Sequence, residues 1–117
     1  MTNRIVWFDL PASDLERAMK FYSRVLEAEV SERFPGVGVI SSDEGAVSGC
    51  VFKSDEVQPS DQGPLLYFNV DGRLDEAVSA AEECGGTIKE PPHPIGEFGH
   101  RALVIDSEGN RIALHSA

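Results

Sequence analysis

A chain of 117 residues is long enough for one domain whose core needs no disulfide or metal staple. Its 41% hydrophobic and 26% charged residues are those of an ordinary globular protein, and no apolar run approaches the length that spans a bilayer. The formal net charge of −10 argues against nucleic acid and anionic membrane surfaces as partners, since both call for basic patches.

The opening MTNRIVWF enters a strand at once, with no long apolar stretch behind a basic start, so no signal peptide is expected and the expectation is a cytoplasmic protein. From Ile5 to Leu10 the chain alternates, with Val6, Phe8 and Leu10 on one face and Ile5, Trp7 and Asp9 on the other. Ser13 is expected to cap a helix, with Glu16 completing a capping box. Leu15, Ala18, Met19, Tyr22, Val25 and Leu26 then recur at helical spacing. Strands are expected near Glu29–Arg33, Val37–Ser41 and Val47–Lys53, punctuated by Pro35-Gly36 and Asp43-Glu44-Gly45.

Residues 54–63, SDEVQPSDQG, carry no apolar periodicity and read as a linker. A second strand–helix unit follows. Leu66, Phe68 and Val70 alternate with Leu65, Tyr67 and Asn69, and Leu74, Ala77, Val78, Ala81 and Cys84 make the next helical stripe, closed by Gly85-Gly86. Thr87–Lys89, His100–Ile105 and Arg111–His115 are the closing strands, the last two joined by the turn Asp106–Asn110. The segment PPHPIGEFGH, with His93, Glu97, Phe98 and His100, is either a mobile flap tipped by Phe98 or a plain proline-rich connection. Cys50 and Cys84 make no metal or redox motif and read as small buried hydrophobes in a reducing compartment.

Two copies of one pattern emerge: module one over about 1–53, the linker 54–63, and module two over about 64–117. The expected fold is α+β, with tandem βαβββ modules within a single domain. The faces holding Trp7, Asp9, Leu65, Tyr67, Asn69, Arg111, Ala113 and His115 are turned from the helix stripes, and their aromatic content points to a ligand pocket.

The stretches DLPASDLERAMKFYSRVL, YFNVDGRLDEAVSAAEECGGTI and DSEGNRIALHS resemble the vicinal-oxygen-chelate superfamily, the group of glyoxalase I, bleomycin-resistance proteins and extradiol dioxygenases. The resemblance covers almost the whole chain and is closest in kind to the small two-module glyoxalase-like proteins. It implies that the paired units curl into a mixed-sheet cup with the helices outside, and that relatives commonly form homodimers. Metal-dependent relatives hold a divalent ion with His, Glu or Gln from four strands, and the resemblance places those positions at Trp7, near Gly49, Leu65 and Ala113. Indole, leucine, alanine and glycine side chains supply no ligand, so no metal and no other cofactor is expected.

Two functions stay open beside a third reading, an interaction module whose cup is filled by its own side chains. One is a protein that binds a small organic ligand in the cup, with Trp7 and Tyr67 stacking on it while Asp9, Asn69 and Arg111 orient polar groups. The other is a lyase or isomerase of a small oxygenated metabolite, metal-free or with a shifted site, with Asp9, His115 and Glu97 as candidate acid–base groups. Against both stands the plain alternative that Asp9, Asn69 and His115 sit at strand ends, bonded to water or loop backbone.

Overall fold

The computed structural model describes residues 3–117. In chain order the elements are β1 Trp7–Ala12, α1 Leu15–Leu26, β2 Val30–Phe34, β3 Val37–Ile40 and β4 Ser48–Lys53, then β5 Leu66–Asn69, α2 Leu74–Glu83, β6 Thr87–Pro94, β7 His100–Ile105 and β8 Arg111–Ser116. Each module builds a four-stranded sheet, ordered β1-β4-β3-β2 and β5-β8-β7-β6. In both sheets the first strand runs parallel to the fourth and the remaining pairs are antiparallel. The duplication legible in the sequence is thus a duplication of topology, and the fold is α+β with helices on the outer face of two mixed sheets.

Helix α1 packs on β2, β3 and β4, helix α2 on β6, β7 and β8, and the two helices pack on each other. Their buried positions, Ala18, Phe21, Tyr22 and Val25 in α1 and Ala77, Ala80 and Ala81 in α2, meet Leu10, Val51, Phe68, Val104, Ile112 and Leu114 from the sheets. Burying a side chain such as Phe21 or Leu114 completely contributes roughly 1.5–3 kcal/mol. Phe21 lies outside the stripe that the heptad-like spacing marks, yet it is fully buried. The reason is that α1 has two partners: its Phe21 ring closes on Gly86, just past α2, where even a Cβ would sit 2.9 Å from the ring. At the seam between sheets, Phe8 meets Phe68 edge-on with ring centroids 5.4 Å apart.

The turn between β7 and β8 fastens one module to the other. Asp106 Oδ1 accepts backbone N–H groups of Glu108, Gly109 and Asn110, which shapes the turn. Its other oxygen accepts the buried Tyr22 hydroxyl at 2.5 Å, and Asn110 Nδ2 donates across the seam to the Pro11 carbonyl at 2.9 Å. Glu108 accepts the backbone N–H groups of Ser13 and Asp14 and pairs with Arg17 at 2.7 Å. A carboxylate from module two therefore satisfies donors at the start of the helix of module one, where an anion is favoured.

Four local expectations are corrected. Asp14, not Ser13, caps α1, accepting from the Arg17 N–H at 3.1 Å; the Ser13 N–H is instead taken by Glu108, so no capping box with Glu16 forms. Val6 does not face the helices: β1 begins at Trp7, and Val6 is 74% exposed. The strand expected over Thr87–Lys89 runs on to Pro94. Prolines 91, 92 and 94 fit because β6 is an edge strand whose pairing to β7 is irregular, so missing N–H groups cost no ladder bonds. What remains of the flap is a tight tip, with a 3-10 turn at Gly96–Phe98 closed by the Ile95 N–H donating to the Gly99 carbonyl at 2.8 Å. Gly99 holds φ +95°, and a Cβ there would sit 2.4 Å from the Ser116 carbonyl, so only glycine suits this close approach.

Candidate functional site

Cross-strand register decides which side chains share the face turned from the helices. In module one Trp7 lies opposite Ser48 and Asp9 opposite Cys50. Asp9 Oδ1 accepts the Trp7 indole N–H at 3.0 Å and the Cys50 thiol at 3.2 Å, so this carboxylate is occupied within its own sheet. Burial, with the hydrogen bond and charge of Asp9 behind it, pushes the Cys50 thiol up to about 11, which makes it a poor nucleophile at neutral pH. Gly49 does not belong to this face. It pairs with Phe8, and a Cβ on it would meet the Phe8 ring and carbonyl at 2.5 Å, so Ser48 and Cys50 hold the neighbouring positions on the Trp7 side.

In module two the rows across the sheet are Tyr67–Ala113–Leu103 and Asn69–His115–Arg101–His93. Arg101 is the centre of this face. Its Nε–H donates to His93 Nε2 at 3.2 Å, its Nη1 donates to the Tyr67 hydroxyl, and its guanidinium carbon lies 5.9 Å from the Tyr67 ring centroid. His93 Nδ1–H donates to the Pro91 carbonyl at 2.9 Å, and its Nε2, which meets Arg101, also lies 3.5 Å from Glu90 Oε1. His115 donates from Nε2–H to the Phe98 carbonyl at 2.6 Å, tying β8 to the tip between β6 and β7.

Tyr67, Ile95, Phe98, Arg101 and His115 surround an open cavity of about 480 Å³. Its walls are aromatic and aliphatic and its polar groups few, the composition of a small-molecule site. A second cavity of about 330 Å³ lies at the seam, where Asp9, Pro11 and Leu66 meet the linker residues Gln58, Ser60 and Gln62 and the side chain of Arg111. Arg111 Nη2 donates to the Gly63 carbonyl at 3.0 Å, while its buried Nε has no partner among the described residues.

The residues singled out from the sequence are thus divided. Tyr67 and His115 line the module-two cavity, and Asp9 and Arg111 line the seam cavity. The structure does not pair Asp9 with His115. Asn69 accepts the Asp71 N–H at 2.9 Å in a local turn, and Ala113 is fully buried. Trp7 is 46% exposed, Leu65 precedes β5 and reaches neither cavity, and Glu97 is an exposed residue of the tip. Arg101 was missed, although it was within reach: once the turn sets Ile105 opposite Arg111, antiparallel counting sets Arg101 opposite His115.

Residues 4–114 match the family model of the Glyoxalase/Bleomycin resistance protein/Dioxygenase superfamily. A glyoxylase-like domain-containing protein of Didymella fabae is 33% identical over 129 aligned residues, covering 95% of this chain and 91% of its own. The fold is similar to that of a glyoxalase/bleomycin resistance protein from Albidiferax ferrireducens T118, with TM-score 0.83, 21% identity and coverage of 98% and 99%. It is also similar to a glyoxalase-related enzyme from Fulvimarina pelagi, with TM-score 0.77, 15% identity and coverage of 99% and 89%. The chain belongs to the glyoxalase/bleomycin resistance/dioxygenase superfamily.

The family's divalent ion can be tested against the residues present. Among the described residues, no three His, Cys, Asp or Glu side chains gather into a set able to hold a metal ion. At the ligand positions marked by the resemblance, the Trp7 indole has only a donor N–H and gives it to Asp9, and Ala113 is a buried methyl in the sheet. Beside the fourth-strand position the Cys50 thiol meets Asp9 at 3.2 Å, but with no ligating side chain at Trp7, Leu65 or Ala113 these two alone do not make up the family's four-residue set.

Proposed function

We propose that this chain binds a small organic molecule in the module-two cavity without the help of a metal ion, acting by sequestration or carriage as a protein of the glyoxalase/bleomycin-resistance type. The observation that carries this is the cavity itself. Two aromatic side chains, Tyr67 and Phe98, and the aliphatic Ile95 border an open cavity of about 480 Å³ beside a guanidinium and an imidazole. Of the family positions that would hold an ion, those at Trp7, Leu65 and Ala113 carry side chains unable to do so, which supports independence from metal. A screen of small organic molecules by thermal shift, repeated on Tyr67→Ala and Phe98→Ala, tests it. Hits should lose their stabilising effect in both variants, and hits unaffected by both would place the ligand elsewhere.

A lyase or isomerase acting on a small oxygenated metabolite is the second reading, and His115 favours it. The ring borders the cavity, Nε2 is fixed by Phe98, and Nδ1 is without a hydrogen-bond partner among the described residues. Asp9 and Glu97 lie outside this cavity, so His115 is the base of this scheme. Turnover abolished in a folded His115→Ala variant would favour the enzyme; turnover unchanged would remove His115 from it.

We further infer a second copy of the chain as its macromolecular partner. The outer edges β2 and β6 are unpaired among the described residues, and Ile5, Val6, Trp7 and Val47 are exposed. Light scattering at working concentration should give twice the chain mass, and a monomer would reject the dimer. The free thiols Cys50 and Cys84 suit a cytoplasmic, reducing setting, and the charge of −10 disfavours nucleic acid.

A further inference from the structure

We infer that the module-two cavity selects a ligand with one carboxylate on a flat apolar body, and that Arg101 receives the carboxylate. The inference rests on the proposed binding function and goes on to name the chemical class of the ligand.

Three of the seven arginines of this acidic chain pair with carboxylates. Arg17, Arg24 and Arg73 pair with Glu108, Glu83 and Glu27 at 2.7, 2.7 and 3.0 Å. Arg101, half-buried on the inner face, differs: among the described residues its partners are two neutral acceptors, His93 Nε2 and the Tyr67 hydroxyl. A guanidinium has five N–H donors, and these two bonds leave three for a ligand. Both partners hold the group in place, and the Glu90 carboxylate stands behind His93, 3.5 Å from its Nε2, without an ion pair to Arg101 among the described residues. His93 is in turn held by the Pro91 carbonyl, which its Nδ1–H meets at 2.9 Å. A charged, oriented and partly desolvated fork is the arrangement that recognises a planar oxyanion, in strength well above a neutral hydrogen bond.

The remainder of the cavity specifies what the anion is attached to. Tyr67 and Phe98 offer ring faces, Ile95 an aliphatic wall, and Phe98 is 69% exposed at the tip, an aromatic surface left for a partner. Aromatic surface beside a single cation suits a conjugated or aromatic acid. Polyphosphates and sugars are poorly matched, since they bring several charges or hydroxyls to a wall with few polar groups. The long-range field of a chain at −10 repels anions, so Arg101 must supply the attraction locally.

The test is calorimetric titration of the full chain with 2-naphthoate and with its neutral isostere 2-naphthamide, on the parent protein, Arg101→Gln and Phe98→Ala. In the parent, naphthoate should bind about tenfold or more tighter than the amide, as expected of a charge-assisted bond. In Arg101→Gln that preference should vanish while the amide still binds, and in Phe98→Ala both probes should weaken. Equal binding of the two probes to the parent would overturn the anion assignment and leave the binding function standing. Failure of both to bind at millimolar concentration would overturn the assignment and the binding function together. A preference surviving in Arg101→Gln would remove Arg101 from the role. If that variant does not fold, by circular dichroism, the comparison of acid with amide on the parent still decides.

Discussion

The Tyr22 hydroxyl, midway along α1, donates a 2.5 Å hydrogen bond to Asp106 in the turn between β7 and β8, and both side chains are buried. Tyr22 also packs on Phe68 of β5, with centroids 5.4 Å apart, so one side chain reaches both the turn and the first strand of the other module. The relative placement of the modules, and with it the seam cavity, depends on such contacts.

Removing the hydroxyl isolates its contribution. Tyr22→Phe keeps the packing and should cost about 1–3 kcal/mol, the range for a buried bond to a charged acceptor. Burial first, and then the negative charge of Asp106, raises the Tyr22 phenol well above its ordinary 10.0. The stability drawn from the neutral phenol is therefore complete below pH 10 and is lost as pH rises toward the folded value. Urea unfolding of the parent should weaken steeply above about pH 10, and Tyr22→Phe should show a flatter alkaline limb. Parallel limbs would refute the coupling.

Glu108 governs the acid side. Burial raises its carboxyl, but Arg17, the Asp14 N–H and Ser107 outweigh this and hold it below its ordinary 4.5. The sign is then opposite to that of Tyr22: the stability is present above the ordinary value and is lost as pH falls through the lowered one. Glu108→Gln should cost about 1–3 kcal/mol at pH 7, discounted toward the lower end because Arg17 is 49% exposed. The gap between variant and parent should close at acid pH; a constant gap from pH 7 to 3 would contradict the assignment.

Cys50 should be slow to react. With its thiol near 11, the thiolate fraction at neutral pH is roughly 100-fold below that of an ordinary cysteine. Iodoacetamide labelling followed by peptide mapping should modify Cys50 at least that much more slowly in the folded protein than in urea. Asp9→Asn, which removes the adjacent charge, should speed the reaction. Equal folded and unfolded rates would show that the thiol is not held as described.

Gly49 packs under Phe8 with no space for a methyl group. Its Cβ would press on the Phe8 carbonyl, which the parallel pairing of β1 with β4 holds in place. Gly49→Ala should lower stability by about 1–3 kcal/mol or more, measured as a fall in the urea midpoint. A neutral substitution would mean that β1 and β4 are less closely fitted.

Local patterning in the sequence revealed the helix Leu15–Leu26, the strand Val37–Ile40 and the turn at Asp106–Asn110, because their signals lie within a few residues. It does not reveal that Glu108 takes the Asp14 N–H, a contact between residues 94 apart, so local spacing points to Ser13 for the capping role that Asp14 fills. The extension of β6 through three prolines was hidden for a related reason: proline is a poor strand residue until one knows the strand is at an edge. At the site, parity placed Tyr67 and His115 on one face. It did not show that Asp9 and His115 would border different cavities, since that follows from how the modules pack and where the linker passes.

The most direct test of metal-independent binding is titration of 2-naphthoate into purified protein whose metal content has been measured, before and after treatment with EDTA. The account predicts far less than one divalent ion per chain and the same affinity in both samples, with binding weakened in Phe98→Ala. One bound ion per chain, together with binding that disappears on chelation, would contradict it.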